Sequence, residues 1–143
     1  MANTDVIVDA SFVVTLWFAD APRHEEALAW HEREPGAPLV TTPVVLAEMD
    51  HMLRKYGGRG AERVVAANIA TRALEVDWWD DAVDACWKLV AGHPDIGVAD
   101  ASLVALAAHR RTTSIATYDE RHFRSLKPLT GEDVFRLLPV DAL

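Results

Sequence analysis

Four acidic residues could do chemistry together, two of them interrupting apolar runs. Asp9 interrupts "DVIVDASFVV", between Val6, Ile7 and Val8 on one side and Phe12, Val13 and Val14 on the other. Glu48 interrupts "VVLAEMDHML", Asp100 lies in "DIGVADASLVALA", and Asp119 lies in "IATYDERHF". Burying an ionised carboxylate is costly unless it is paired or bound to a metal. Carboxylates crowded together raise one another's pKa unless cations sit among them. A set of hard oxygen ligands suits Mg²⁺ or Mn²⁺, which keep several waters and need few protein ligands. Taken singly, each acid also has an ordinary structural use: a turn acid at Asp9, an exposed helical position at Glu48, a helix N-terminal acid at Asp100, an N-cap at Asp119. Only a common meeting point would give them chemistry.

The elements read from the sequence supply one. "VIV", "PLVTT", "ALEVDW" and "SIATY" read as short strands. Helices are expected over "FVVTLWF", from His24 to Glu34, from Pro43 to about Tyr56, from Ala61 to Ala73, over "DDAVDACWKLVAG", and over "VADASLVALAAHRR", with a helical turn at "DERHF". Thr42 offers an N-cap hydroxyl and Pro43 fits the first helical position. "PG" at Pro35 and "GGRG" after Tyr56 punctuate the helices. Strands alternating with helices predict an α/β domain with a central, mainly parallel sheet flanked by helices, a single unit over residues 1–143. In such sheets ligands gather outside the carboxyl ends of the strands. Asp9 and Asp119 each follow a strand at that end, while Glu48 and Asp100 sit early in helices that can overhang the same rim.

Other chemistries lack their signatures. There is no G-x-x-x-x-G-K-[ST] loop and no G-x-G-x-x-G, so nucleotide cofactors are unsupported. No G-x-S-x-G elbow supports a Ser/His/Asp triad. "EMDH" is a Glu-x-x-His string like those of di-iron bundles, but it occurs once where two are needed. Phosphatases of the haloacid-dehalogenase type place a second Asp two residues after the first; here that place is Ser11. The lone Cys86 forms no internal bridge, and "MANTD" lacks the basic start of a signal peptide, so a cytoplasmic protein with no membrane span is expected.

The set "VIVDASF", "TPVVLAEMDHML", "DIGVADASLVALA" and "IATYDERHF" resembles the PIN-domain ribonucleases, and closely the VapC toxins of bacterial toxin–antitoxin pairs. The likeness covers nearly the whole chain, with the acids at intervals of 39, 52 and 19 residues. It implies that Asp9, Glu48, Asp100 and Asp119 are the catalytic and metal-holding acids, with Ser11 and Thr117 as supporting hydroxyls. Two residues apart on a continuing strand, Thr117 and Asp119 would face the same way, so that the hydroxyl could orient the carboxylate. The chemistry implied is Mg²⁺- or Mn²⁺-dependent hydrolysis of RNA, in which positive charge serves the attacking and leaving oxygens of a phosphodiester.

A net charge of −8 argues against a general nucleic-acid coat. Ten of the 14 cations nevertheless fall in two stretches, 54–72 and 110–127, and local basic patches can steer a phosphate backbone. Arg54, Lys55, Arg59, Arg121 and Arg124 are the expected RNA contacts. The resemblance further implies a homodimer whose groove is closed by a cognate antitoxin. Apolar positions between residues 43 and 72, among them Val44, Val45, Met49, Met52, Val64 and Val65, are expected to form part of a partner surface. The alternative is a PIN-fold interaction module that cleaves nothing; retention of all four acids argues against it.

Overall fold

A computed structural model describes residues 4–56 and 58–142, leaving Met1–Asn3 of "MANTD", Gly57 of "GGRG" and Leu143 outside it. The strand β1 (Val6–Val8) is buried along its whole length and lies at the centre of the sheet. A continuous β-branched run is what a parallel strand covered on both faces requires. Beside it lie β2 (Leu39–Thr41) and β4 (Ser114–Ala116), and the edges are β3 (Glu75–Val76) and β5 (Arg136–Leu138). The order is β3-β2-β1-β4-β5, and every pairing is parallel, with Ile7 opposite Val40 on one side and Ile115 on the other.

This order contains a switch point. From β1 the chain first steps outward to β2 and β3, then returns to place β4 on β1's other flank. The connections leaving β1 and β4 therefore part from each other above the carboxyl ends of those two strands, opening the crevice where α/β sheets bind ligands.

The helices are α1 (Ala10–Trp17), α2 (His24–Arg33), α3 (Pro43–Tyr56), α4 (Ala61–Ala70), α5 (Ala82–Gly92), α6 (Val98–Arg110) and α7 (Glu120–Arg124). Residues 101 to 107 of α6 are all buried, since it packs against α3, α5 and the central strands. Its alanines and Ser102 let those neighbours approach. The N-cap expected at Thr42 is present: its hydroxyl accepts from Val45 N at 3.2 Å. The Ser102 hydroxyl donates to Ala99 O at 2.7 Å, so the 2.8 Å bond between Thr42 Oγ1 and Ser102 Oγ has Thr42 as donor. That chain of hydroxyls pins the start of α3, which carries Glu48, to the first turns of α6, which carry Asp100.

The structure differs from the sequence reading at several points. β5 was not expected. Its three residues run directly into Pro139, too short a run to show a strand period. "ALEVDW" contributes only Glu75 and Val76, and "SIATY" stops being a strand at Ala116. The helix expected to Ala73 ends at Ala70, two residues before Arg72, which has a positive φ of 62°. α1 begins at Ala10, immediately after Asp9. Val45 and Met49, expected on a partner surface, are instead core residues, because α3 packs on α1 and α6. Among the described residues, no helix is long and apolar enough to cross a membrane.

Candidate active site

Asp100 and Asp119 meet at the switch point, and Asp9 is tied to Asp119 by a hydrogen-bonded relay. Asp9 leaves β1 as the N-cap residue of α1; its backbone N–H donates to Ala116 O of β4, and its Oδ1 accepts from Ala10 N at 2.7 Å. Its other oxygen, Oδ2, accepts from two hydroxyls, Thr117 at 2.8 Å and Ser11 at 3.3 Å. Each hydroxyl in turn accepts from a backbone amide of the segment after β4: Thr117 Oγ1 from Asp119 N at 2.9 Å, Ser11 Oγ from Tyr118 N at 3.2 Å. Two successive amides are thereby relayed through two hydroxyls onto one carboxylate oxygen. The position of Asp119 is fixed relative to Asp9 by this relay.

On the far side of the crevice stands Asp100, in the first turn of α6, with 13% of its side chain exposed. Its Oδ2 lies 2.9 Å from His122 Nδ1, and Asp119 Oδ2 lies 2.8 Å from the same nitrogen. Asp119 occupies the N-cap position of α7 yet makes no capping bond, which leaves its carboxylate for His122. Ligand atoms of Asp100, Asp119 and His122 all fall within 4.8 Å of one another, close enough to share one metal ion. Glu48 is the outlying acid: exposed on α3, it is close enough to feel the charges of Asp100 and Asp119.

The electrostatics follow from this crowding. Burial first, then the charges of Asp100 and Glu48, push the Asp9 carboxyl up to about 6, against the opposing effect of the Thr117 hydrogen bond. Glu48 is raised by partial burial and by Asp100 and Asp119, with His51 acting in the opposite direction. Asp100 is raised by burial and by Asp119, with His122 opposing. Such a site favours binding a cation, because a cation relieves a repulsion that the fold otherwise sustains.

The PIN domain family profile matches residues 6–127 of the chain. The chain is also 33% identical over 129 residues to ribonuclease VapC26 of Mycobacterium tuberculosis strain H37Rv, a match covering 88% of this chain and 95% of that protein. This chain is a PIN-domain protein of the VapC type. The fold agrees with that of the crystal structure of M. tuberculosis VapC20, a sarcin–ricin-loop-cleaving toxin, at a TM-score of 0.69 and 22% identity over 80% of this chain and 90% of that one. In this PIN domain β5 lies beyond the matched segment, and it still completes the sheet beside β4.

Of the residues singled out in the sequence, the VapC-type fold brings Asp9, Asp100, Asp119, Ser11 and Thr117 together, with Glu48 at the rim. Thr117 and Asp119 do not share a strand face as expected, because β4 has ended; Thr117 is fully buried beneath Asp9, and a backbone amide links the pair. His122 was missed. The signal available for it was Asp-x-x-His in "DERH", a spacing that puts both side chains on one side of a helical turn. The basic residues are scattered in role. Arg59 and Arg121 are exposed, Arg54 reaches Asp50 at 3.7 Å, and Lys55 lies 5.1 Å over the Tyr56 ring. Arg124 grips Asp141 at 2.6 and 2.8 Å and so ties α7 to the segment after β5. Arg110 fans onto Asp5, Glu75 and Asp77 at 3.0, 2.7 and 2.9 Å, joining the end of α6 to the central and edge strands.

The crowded carboxyls of this PIN site give its metal-free stability a pH dependence with a definite sign. A carboxyl held at about 6 in the folded chain takes up its proton on acidification before its unfolded counterpart does, so the folded state binds more protons between the two values. Stability in EDTA should therefore rise as pH falls from 7 to 5, by roughly 1 kcal/mol from Asp9 alone. Asp100 and Glu48 act in the same direction. Asp141, held below the usual carboxylate range by Arg124, would lose its contribution only at lower pH. Urea unfolding at the two pH values reads the effect, and Asp9→Asn should reduce it to the part that Asp100 and Glu48 contribute; a loss of stability between pH 7 and 5 would refute the crowded site.

Proposed function

We propose that this chain is a Mg²⁺- or Mn²⁺-dependent endoribonuclease, acting in the cytoplasm as the toxin of a type II, VapBC-like toxin–antitoxin pair. The observation that carries this reading is the convergence of Asp100, Asp119 and His122 within 4.8 Å of one another, with Asp9 tied to Asp119 through Thr117 and close enough to feel the charge of Asp100, at the carboxyl ends of β1 and β4. The kinship with ribonuclease VapC26 supports RNA as the substrate class. The donor set fits a hard divalent ion: carboxylate oxygens, partly desolvated, mutually repelling and held by hydrogen bonds from behind.

Asp9, Asp100 and Asp119 would hold the ion, with Glu48 available at the rim to complete its ligands or orient a water. Bound there, the ion supplies positive charge to the attacking and leaving oxygens of a phosphodiester undergoing in-line hydrolysis. The chain's own part is positional. Ser11 and Thr117 fix one carboxylate oxygen of Asp9, and the Thr42–Ser102 bond holds α3 against α6 so that Glu48 faces Asp100. Arg54, Lys55, Arg59 and Arg121 serve as exposed cations for the RNA backbone, and Arg124 reaches it only from its pairing with Asp141.

The cognate antitoxin and a second copy of the chain are the proposed protein partners. A groove of about 230 Å³ between α3 and α4, lined by Leu46, Leu53, Val65 and Ile69, together with the exposed Val64, offers apolar surface for one of them.

The test is cleavage itself. The protein freed of any co-purified partner should cut RNA internally with Mg²⁺ or Mn²⁺ and stop in EDTA, while Ca²⁺ should support little cutting because its looser coordination positions water less well. Undiminished cleavage in EDTA would overturn the reading. A chain that binds a small partner tightly yet cuts no RNA with either ion would mark an interaction module instead.

A further inference from the structure

Within the proposed centre, one group is not an oxygen donor. We propose that His122 is a nitrogen ligand of the bound ion and biases the site toward Mn²⁺ over Mg²⁺. The inference rests on the carboxylate centre described above and adds to it the identity of the preferred metal.

The geometry argues for a ligand rather than a bystander. The Nδ1 atom of His122 lies 2.9 Å from one Asp100 oxygen and 2.8 Å from one Asp119 oxygen. Donor atoms at neighbouring corners of an octahedron whose metal–ligand distance is about 2.1 Å stand about 3 Å apart. The nitrogen thus already stands at nearly the spacing of an adjacent ligand from each oxygen, and all three atoms lie within 4.8 Å of one another. The placement of His122 also has a local cause. Asp119 and His122 are three apart across the first turn of α7, so their side chains leave the same side of the turn, toward Asp100. A histidine kept only to pair with one acid would not need to reach two.

Ligand chemistry turns this into a preference. Mg²⁺ demands oxygen donors and sheds water reluctantly, so an imidazole adds little to its binding. Imidazole suits the later transition metals best, but of the two ions proposed here Mn²⁺, which accepts carboxylates and water as Mg²⁺ does, is the transition metal and gains more from a nitrogen donor. His51, one turn after Glu48 on α3, is the other imidazole near the acids, but it belongs to the exposed rim.

The experiment measures both affinities on the full chain by calorimetry, for wild type, His122→Ala, His122→Asn, His51→Ala and Asp100→Asn, with pulsed electron paramagnetic resonance on the Mn²⁺-loaded proteins. Wild type should show ¹⁴N coupling from a directly bound imidazole. The coupling should vanish in both His122 variants and persist in His51→Ala. Mn²⁺ affinity should fall roughly tenfold in the His122 variants while Mg²⁺ affinity holds within about twofold. Absence of ¹⁴N coupling in wild type would overturn the inference, as would its loss in His51→Ala. So would an equal change in both affinities, whether a loss, as for a residue that only positions the acids, or a gain, as for one that merely fills the ion's place. Asp100→Asn keeps the two ideas apart: if it binds both ions as wild type does, the carboxylate centre itself fails, whatever His122 does. Melting curves of each variant, with His122→Asn retaining a polar side chain, separate lost binding from lost folding.

Discussion

Asp100→Asn should abolish metal-dependent RNA cleavage while leaving the protein in EDTA as stable as wild type or slightly more so. The substitution removes one charge from a site where Asp100, Asp119, Glu48 and Asp9 repel one another, and repulsion of this kind raises the free energy of the folded state. It also spares the local geometry, because an asparagine carbonyl can still accept from His122. Metal stabilises only the folded chain, by RT ln(1 + [L]/Kd), which comes to about 2.7 kcal/mol when the ion is at 100 times its Kd. Wild type should therefore melt higher as Mg²⁺ is added, and the variant should respond much less. Were Asp100 simply an acid favoured by the α6 dipole, its loss would cost up to about 1 kcal/mol and leave the response to metal unchanged. Melts of both proteins with and without Mg²⁺ at constant ionic strength distinguish the cases, and an undiminished metal-induced shift in the variant removes Asp100 from the site.

Thr117→Val should cost about 10–100-fold in cleavage, although Thr117 would touch no metal. Valine keeps the shape of threonine, but it can neither donate to Asp9 Oδ2 nor accept from Asp119 N. Both groups lose a partner in a place where Thr117 has no exposure to water. Leaving buried polar groups unpaired costs about 1–3 kcal/mol, more when one is charged. The hydrogen bond from Thr117 also opposes the upward pressure on the Asp9 carboxyl, so its loss makes the ionised form harder to keep at neutral pH. Removing the partners that orient a metal ligand typically costs 10–100-fold in affinity or activity, and roughly that loss is expected in single-turnover cleavage. Thr117→Ser keeps the hydroxyl and should restore most of the activity. Denaturant unfolding and cleavage rates of the three proteins test the relay; a valine variant that cleaves as fast as wild type would reduce Thr117 to a packing residue.

The residues that could be read from the sequence are those whose role shows in their own neighbourhood. Asp9 is conspicuous because the run around it is apolar, and Thr42 with Pro43 announces the start of α3 by capping chemistry alone. The parts that could not be read depend on partners far along the chain. In the sequence Arg110 is one of a run of cations before "IATYDERHF", yet its partners Asp5, Glu75 and Asp77 lie 105, 35 and 33 residues away. The bond between Thr117 and Asp9 spans 108 residues. His122 escaped because its helix has five residues, too few for a period to emerge, and β5 escaped because "RLL" gives way at once to proline.

The place of β5 in the chain bears on when the centre can come into being. All four acids precede residue 120, but the amide of Thr117 donates to Leu138 O at 3.0 Å, and β4 has β5 as its outer neighbour. During synthesis, a chain extended only to about residue 130 carries all four of these acids and still lacks the strand that holds β4, and with it Thr117 and Asp119, in register. Assembly of the site therefore waits on β5, and a chain interrupted before that strand holds the acids without the frame that makes them a centre.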